Sequence, residues 1–348
     1  MTNASTDTAA PRGIDAANVT RWFTEHAAEV APPLRFELIA GGRSNLTYRV
    51  TDSAGQAWVL RRPPLGQVLA TAHDMGREHK IISALAPTDV PVAPTIGLCT
   101  DEAVNGAPFY VMGFVEGIIA RGAEASHLLS PEAQDRAGHQ LPDVLARIHA
   151  VDVDAVGLGD LGRKEGYIAR QLKRWYAQWE SSKTRELPVV DEVHAALSAR
   201  IPEQGPATIV HGDYRLDNCM LSPDGTIAAV LDWELCTLGD PLADVGLLLV
   251  YWNDPGERSV LPDADAALTG LPTKAELVAR YAAASGRDVS EVGYYVAFGY
   301  WKLACILEGV YARYRGGVMG ESGGYEGFAG QVEMLARQAE ATIDGLAP

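Results

Sequence analysis

One segment constrains this chain more than any other: "IVHGDYRLDNCMLSPDGTIAAVLDWE", residues 209 to 234, has the pattern of a strand, a loop and a returning strand, yet is loaded with acids. His211, Asp213 and Asn218 are spaced His-x-Asp-x-x-x-x-Asn, and Asp232 follows inside "VLDWE". The turn "SPDG", residues 222 to 225, folds the second strand back so that Asp232 comes toward Asn218. A tight loop with a carboxylate and, five residues on, an amide thus gains a third oxygen donor from the facing strand.

That set suits phosphoryl transfer from a nucleotide, which needs little covalent help and much positioning. Asp213 would orient an acceptor hydroxyl and take its proton, while Asn218 and Asp232 would hold Mg²⁺ through hard oxygens. His211 is expected to brace the loop through backbone hydrogen bonds. The competing structural account is that acids in hairpins often only cap loops by accepting backbone hydrogen bonds. "GDPLADVG" follows a few residues later; Asp240 before Pro241 signals a helix start, and Asp244 lies one turn on.

The remainder divides unevenly. Residues 1 to 13 read as a disordered tail, and a first helix is expected from about Asp15 to Val30. "FELIA", "LTYRVT" and "AWVLRR" predict an antiparallel meander; "AHDMGREHKIISALA" has helical period, and "TIGLC" with "PFYVMGFV" completes a five-stranded sheet. After Glu116 the periodicity is helical over roughly 130–150, 165–184, 189–200, 240–251, 273–285, 289–313 and 327–345. The expected architecture is α+β and two-lobed: a nucleotide-binding N-terminal lobe, 14–115, with a leading helix, and a helical C-terminal lobe, 116–348, carrying the catalytic loop and acceptor site. An interlobe cleft and a hinge at Met112 to Gly117 belong to the same expectation.

"HGDYRLDN", "LDWE" and "GDPLADVG" together resemble the aminoglycoside phosphotransferase family of the protein-kinase-like fold, over nearly the whole chain. "WVLRRPP" and "RQLKRWYAQW" are similar to the phosphotransferase domains linked to acyl-CoA dehydrogenases and to their stand-alone bacterial relatives. The resemblance implies an ATP- or GTP-dependent kinase acting on a small-molecule hydroxyl, and it places Asp240 and Asp244 under the catalytic loop as braces. It also implies three further parts in the N-terminal lobe. Gly41, Gly42 and Ser44 of "GGRSN" would contact phosphate; Arg61, with Arg62 as the alternative, would replace the Lys of protein kinases; Glu78 would pair with it. Met112 and Phe114 mark the segment where the base would lie. A nucleotide-binding pseudokinase acting through a protein partner is the alternative reading.

A formal charge of −16 argues against nucleic acid and anionic membrane surfaces as partners, but not against a nucleotide escorted by Mg²⁺. The four cysteines are scattered and predict buried thiols, not a metal site or disulfide framework. With no signal-like or membrane-length apolar run, a cytoplasmic enzyme is expected. Oligomeric state, ATP against GTP and the role of Glu234 are not fixed by the sequence. The scattered acids form no dense cup for a polycation, so a hydroxyacyl or acyl-CoA-type acceptor, its anionic head met by Arg170, Lys173 and Arg174, is expected before an aminoglycoside.

Overall fold

The computed structural model describes residues 11–40, 45–65, 74–120, 127–254, 256–257, 270–316 and 327–346. Backbone proximity divides the chain into two compact units, residues 1–116 and 117–348.

The first unit opens with α1 (Ala16–His26), capped by Asp15, which accepts from Asn18 N. The helix is shorter than the expected Asp15–Val30, because Glu29 turns with φ of 59° and Pro32 and Pro33 follow. Then come β1 (Arg35–Ala40), β2 (Leu46–Thr51), β3 (Ala57–Arg62), α2 (Met75–Leu85), β4 (Thr95–Cys99), the short α3 (Glu102–Asn105) and β5 (Phe109–Gly113). The sheet has the order β1-β2-β3-β5-β4 with every neighbouring pair antiparallel. Its two faces follow from strand alternation. Tyr48, Val50, Trp58, Leu60, Phe109 and Val111 join Val19, Trp22 and Phe23 of α1 in one core. The alternate residues Val59, Arg61, Tyr110 and Met112 belong to the opposite face, and α2 packs on β4 and β5. Arg61 and Tyr110 are partners in register.

The second unit contains β6 (Ile118–Ile119), α4 (Pro131–Ala150), α5 (Tyr167–Ser182), α6 (Pro188–Ala199), β7 (Thr208–Val210), β8 (Cys219–Leu221), β9 (Ile227–Val230), β10 (Thr237–Gly239), α7 (Leu242–Tyr251), α8 (Lys274–Ser285), α9 (Val292–Arg315) and α10 (Phe328–Asp344). Trp179, Val190, Tyr294, Phe298, Trp301 and Leu335 fill its core, with α9 packed against α5, α6, α7 and α10. Beyond the expected hairpin, β6 adds a third strand to β8 and β9, and β7 pairs with β10. Strands of two or three residues are too short to show periodicity, which is why the sequence reading missed them.

The β8–β9 turn shows why "SPDG" ends in glycine. Gly225 has φ of +85°, and a Cβ there would lie 1.9 Å from the carbonyl oxygen of Ala133 in α4. Gly225→Ala is expected to cost about 3 kcal/mol, the sum of left-handed and overpacking penalties. Gly55, at φ of +89°, has open space around it, so Gly55→Ala should cost only about 1 kcal/mol. Urea denaturation of the two variants checks the difference.

Candidate active site

In the second unit β7 runs directly into the loop of His211 to Asn218, and β8 leaves it. Gly212, at φ of +87°, makes the turn, and a Cβ there would meet Leu235 at 3.1 Å. The amide of Asn218 donates from Nδ2 to the Asp213 carbonyl at 2.8 Å and to Asp213 Oδ2 at 3.0 Å. Asp213 and Asn218 are thereby held as one unit. Arg215 lies 3.7 Å from Asp213 Oδ1 and 3.1 Å from Asp217, its guanidinium 4.7 Å from the Tyr251 ring centre. Burial pushes the Asp213 carboxyl above its usual range, although Arg215, His211 and the Asn218 amide pull the other way. A carboxylate raised toward neutrality is a better proton acceptor.

The loop rests on Asp244, the fully buried second acid of "GDPLADVG". Its Oδ2 accepts from His211 N at 2.6 Å and its Oδ1 from Gly212 N at 2.8 Å, while His149 Nε2 of α4 stands 3.3 Å from Oδ2. Burial opposes the charge on Asp244, but His149, His211 and the Gly212 N–H together hold its carboxyl below the usual range. His211 is fully buried: Nε2 donates to Leu231 O at 2.9 Å, and Nδ1 accepts from Asp213 N at 3.3 Å. Its ring ties the loop to the end of β9. Asp240, one residue before the N-cap Pro241 of α7, accepts from Leu242 N at 3.1 Å and from Tyr295 Oη at 2.6 Å.

His149 sets a pH dependence. Burial lowers its pKa below the ordinary imidazole value of 6.5, more than Asp244 restores it. Below pH 6.5 the unfolded chain therefore binds a proton that the folded chain refuses, and stability falls with pH. Between 6.5 and the lower folded-state value this one group is expected to make stability decline as the pH falls. Denaturation curves of the wild type and His149→Gln from pH 7.5 to 5 check this, the variant showing the shallower decline.

The β8–β9 hairpin brings Asn218 to Leu231, the residue before Asp232. Cys219 pairs with Val230, and Leu231 N donates to Asn218 O at 2.8 Å, so Asn218 and Asp232 leave adjoining rungs. Asp232 has φ of 61°, one of two non-glycine residues with positive φ among the described residues. Such backbone strain is retained where the surrounding structure fixes a side chain for use. With Nδ2 of Asn218 bonded to Asp213, its Oδ1 and the Asp232 carboxylate are oxygen donors of the chemical kind that could hold Mg²⁺. Among the described residues no cluster of three His, Cys, Asp or Glu offers another cation site.

In the first unit Glu78 of α2 is 2% exposed. Its Oε2 is 3.5 Å from Arg61 Nε and accepts from Tyr110 Oη at 2.9 Å, and its Oε1 accepts from Asn45 Nδ2 at 2.7 Å. Arg62 points to the α1 face and donates to the carbonyls of Gly13 and Asn105. Of the two arginines, Arg61 is the one beside the glutamate. Met112 is buried in mid-sheet, opposite Val59 and Thr95; Phe114 lies past the end of β5 with the Arg49 guanidinium 4.5 Å from its ring centre. Gly41, Gly42 and Ser44 fall outside the described residues. Asn45, Tyr110 and Lys302 were missed by the sequence reading. Asn45 closes the quoted "GGRSN" and was open to notice, whereas Tyr110 needed the strand register and Lys302 the packing of α9.

A five-stranded sheet with a cation-glutamate pair, and a separate helical unit with a base-amide loop and strained aspartate, define a protein-kinase-like phosphotransferase fold. The chain belongs to the phosphotransferase enzyme family, whose model matches residues 35–283. Mouse acyl-CoA dehydrogenase family member 10 is 37% identical over 277 residues, 78% of this chain and 26% of that protein. This chain thus spans about a quarter of that relative's length. A crystal structure from Ralstonia eutropha JMP134, described provisionally as an aminoglycoside phosphotransferase, is 33% identical with a TM-score of 0.82, covering 96% of this chain and 99% of that one. The GDP complex of aminoglycoside 2'-phosphotransferase-IIIa has a TM-score of 0.61 at 14% identity, over 94% of this chain and 99% of that one, a likeness of fold alone. No helix among the described residues is long and apolar enough to cross a membrane.

Proposed function

We propose that this protein transfers the γ-phosphoryl group of ATP or GTP to a hydroxyl of a small molecule. The observation that carries the reading is the Asn218 amide bonded to Asp213 while its own strand rung adjoins Asp232. Asp213 orients the acceptor hydroxyl and accepts its proton as the oxygen attacks the γ-phosphorus and the bond to the β,γ-bridging oxygen breaks, releasing ADP or GDP. Asn218 and Asp232 would hold the cation, which would supply neutralisation of charge on the phosphate oxygens. Arg61, fixed by Glu78 and Tyr110, offers its guanidinium to phosphate, and the Gly41–Ser44 segment with Met112 and Phe114 belongs to the nucleotide side.

For the acceptor, the relation to acyl-CoA dehydrogenase family members and the basic face of α5, Arg170, Lys173 and Arg174, support a hydroxyacyl or acyl-CoA-type metabolite before a polycationic aminoglycoside. The test is acceptor-dependent nucleotide consumption with Mg²⁺ across hydroxy compounds graded by charge. Turnover with an anionic hydroxy compound supports the reading. No turnover with any of them, together with no calorimetric affinity for Mg·ATP or Mg·GTP, contradicts it.

A further inference from the structure

Lys302 is an ammonium buried in the wrong company. It sits on α9 between Trp301 and Leu303, is 8% exposed, and is surrounded on its helix by residues of the apolar core. Of its three N–H donors, one has an acceptor among the described residues, the Gly212 carbonyl at 3.3 Å. The two carboxylates whose field reaches it, Asp244 and Asp213, are bonded to other groups and lie beyond ion-pair distance. A buried charge is costly unless something of opposite sign meets it.

A second cation stands nearby instead. The Lys302 Nζ is 5.9 Å from the centre of the Trp175 ring, and the Arg174 Cζ is 5.0 Å from the same ring. Trp175 is held in place by its Nε1 donating to Gln171 Oε1 at 2.9 Å. Burial pushes the Lys302 ammonium below its ordinary range; the charges of Asp244 and Asp213 oppose the shift, and that of Arg174 adds a smaller push in the same direction. Neither cation has an ion pair with a described residue, and both flank one indole next to the peptide that precedes Asp213. A buried ammonium and an exposed guanidinium at one ring can both be met by a single oxyanion.

We propose that Lys302 and Arg174, with the Trp175 ring between their roles, form the binding position for an oxyanion carried by the acceptor. The acceptors are then hydroxy compounds bearing a carboxylate or a similar anionic group, and a polycation is repelled. The assignment rests on Asp213 being the base of the phosphotransfer. It is made to the acceptor because Lys302 donates to the carbonyl of Gly212, the residue that precedes Asp213.

The test uses the full chain without nucleotide, so it does not depend on turnover. The difference in tryptophan emission between the wild type and Trp175→Phe isolates the ring, and butyrate and choline are the probes. Butyrate is expected to give a saturable change and choline none. Lys302→Met and Arg174→Met should each weaken the butyrate response about tenfold or more, with Lys302→Arg retaining it and guarding against a variant that fails to fold. Calorimetric affinity for Mg·ATP should stay within about twofold of the wild type, since the site is not the nucleotide's. A butyrate response unchanged in both methionine variants overturns the proposal. So does a Lys302→Met variant that loses Mg·ATP affinity and keeps its butyrate response, because the oxyanion is then a nucleotide phosphate.

Discussion

Asp213→Asn is expected to lower kcat about 10²- to 10⁴-fold, the usual scale for a general base, while Mg·nucleotide affinity stays within a factor of about three. The asparagine keeps the size of the side chain and can still meet the Asn218 amide through its carbonyl oxygen, so the loop should hold its shape. What it loses is the capacity to take a proton. Steady-state kinetics with a saturating acceptor, paired with nucleotide calorimetry, separates the two effects. A variant that turns over at the wild-type rate removes Asp213 from the chemistry.

The second large effect belongs to Asp244, which touches no reacting atom. Asp244→Ala strips the buried N–H groups of His211 and Gly212 of their acceptor and leaves His149 facing a void. Breaking a buried, hydrogen-bonded carboxylate of this kind costs about 3–5 kcal/mol. Activity should fall as well, because the peptide preceding the base loses both of these anchors. Urea denaturation measures the first loss. The second is distinguished from a defect in the chemistry by an unchanged Mg·nucleotide affinity in whatever fraction remains folded. Asp244→Asn keeps one acceptor oxygen and should recover part of both.

The hairpin was legible because its residues carry chemistry and spacing together: Asp213, Asn218 and Asp232 lie within one strand-loop-strand, where local geometry alone brings them close. The five-stranded sheet was legible from runs of five or six residues rich in β-branched and aromatic types and bounded by turn residues, although only β2 alternates cleanly between buried and half-buried positions. Arg61 against Arg62 was only half legible. Alternation separates their faces, but which face carries α2 depends on how α1 covers the other, a tertiary fact. Asp244 reads from sequence as a helix-start acid; that its two oxygens each take a backbone N–H from a loop over thirty residues away requires the fold. Lys302 was invisible, since a lysine in "FGYWKLACILEG" looks like the solvated side of an amphipathic helix until α9 is found buried through the middle of its unit.

The central claim is transfer of a phosphoryl group to an acceptor hydroxyl with Asp213 as base. Phosphorus NMR of the full chain mixed with Mg²⁺, ATP or GTP and an anionic hydroxy compound tests it most directly. The account predicts a phosphate-ester resonance that grows as the γ-phosphorus signal declines, at least about a hundredfold more slowly with Asp213→Asn. A γ-phosphorus signal that declines only into inorganic phosphate, at the same rate in both proteins, would contradict it.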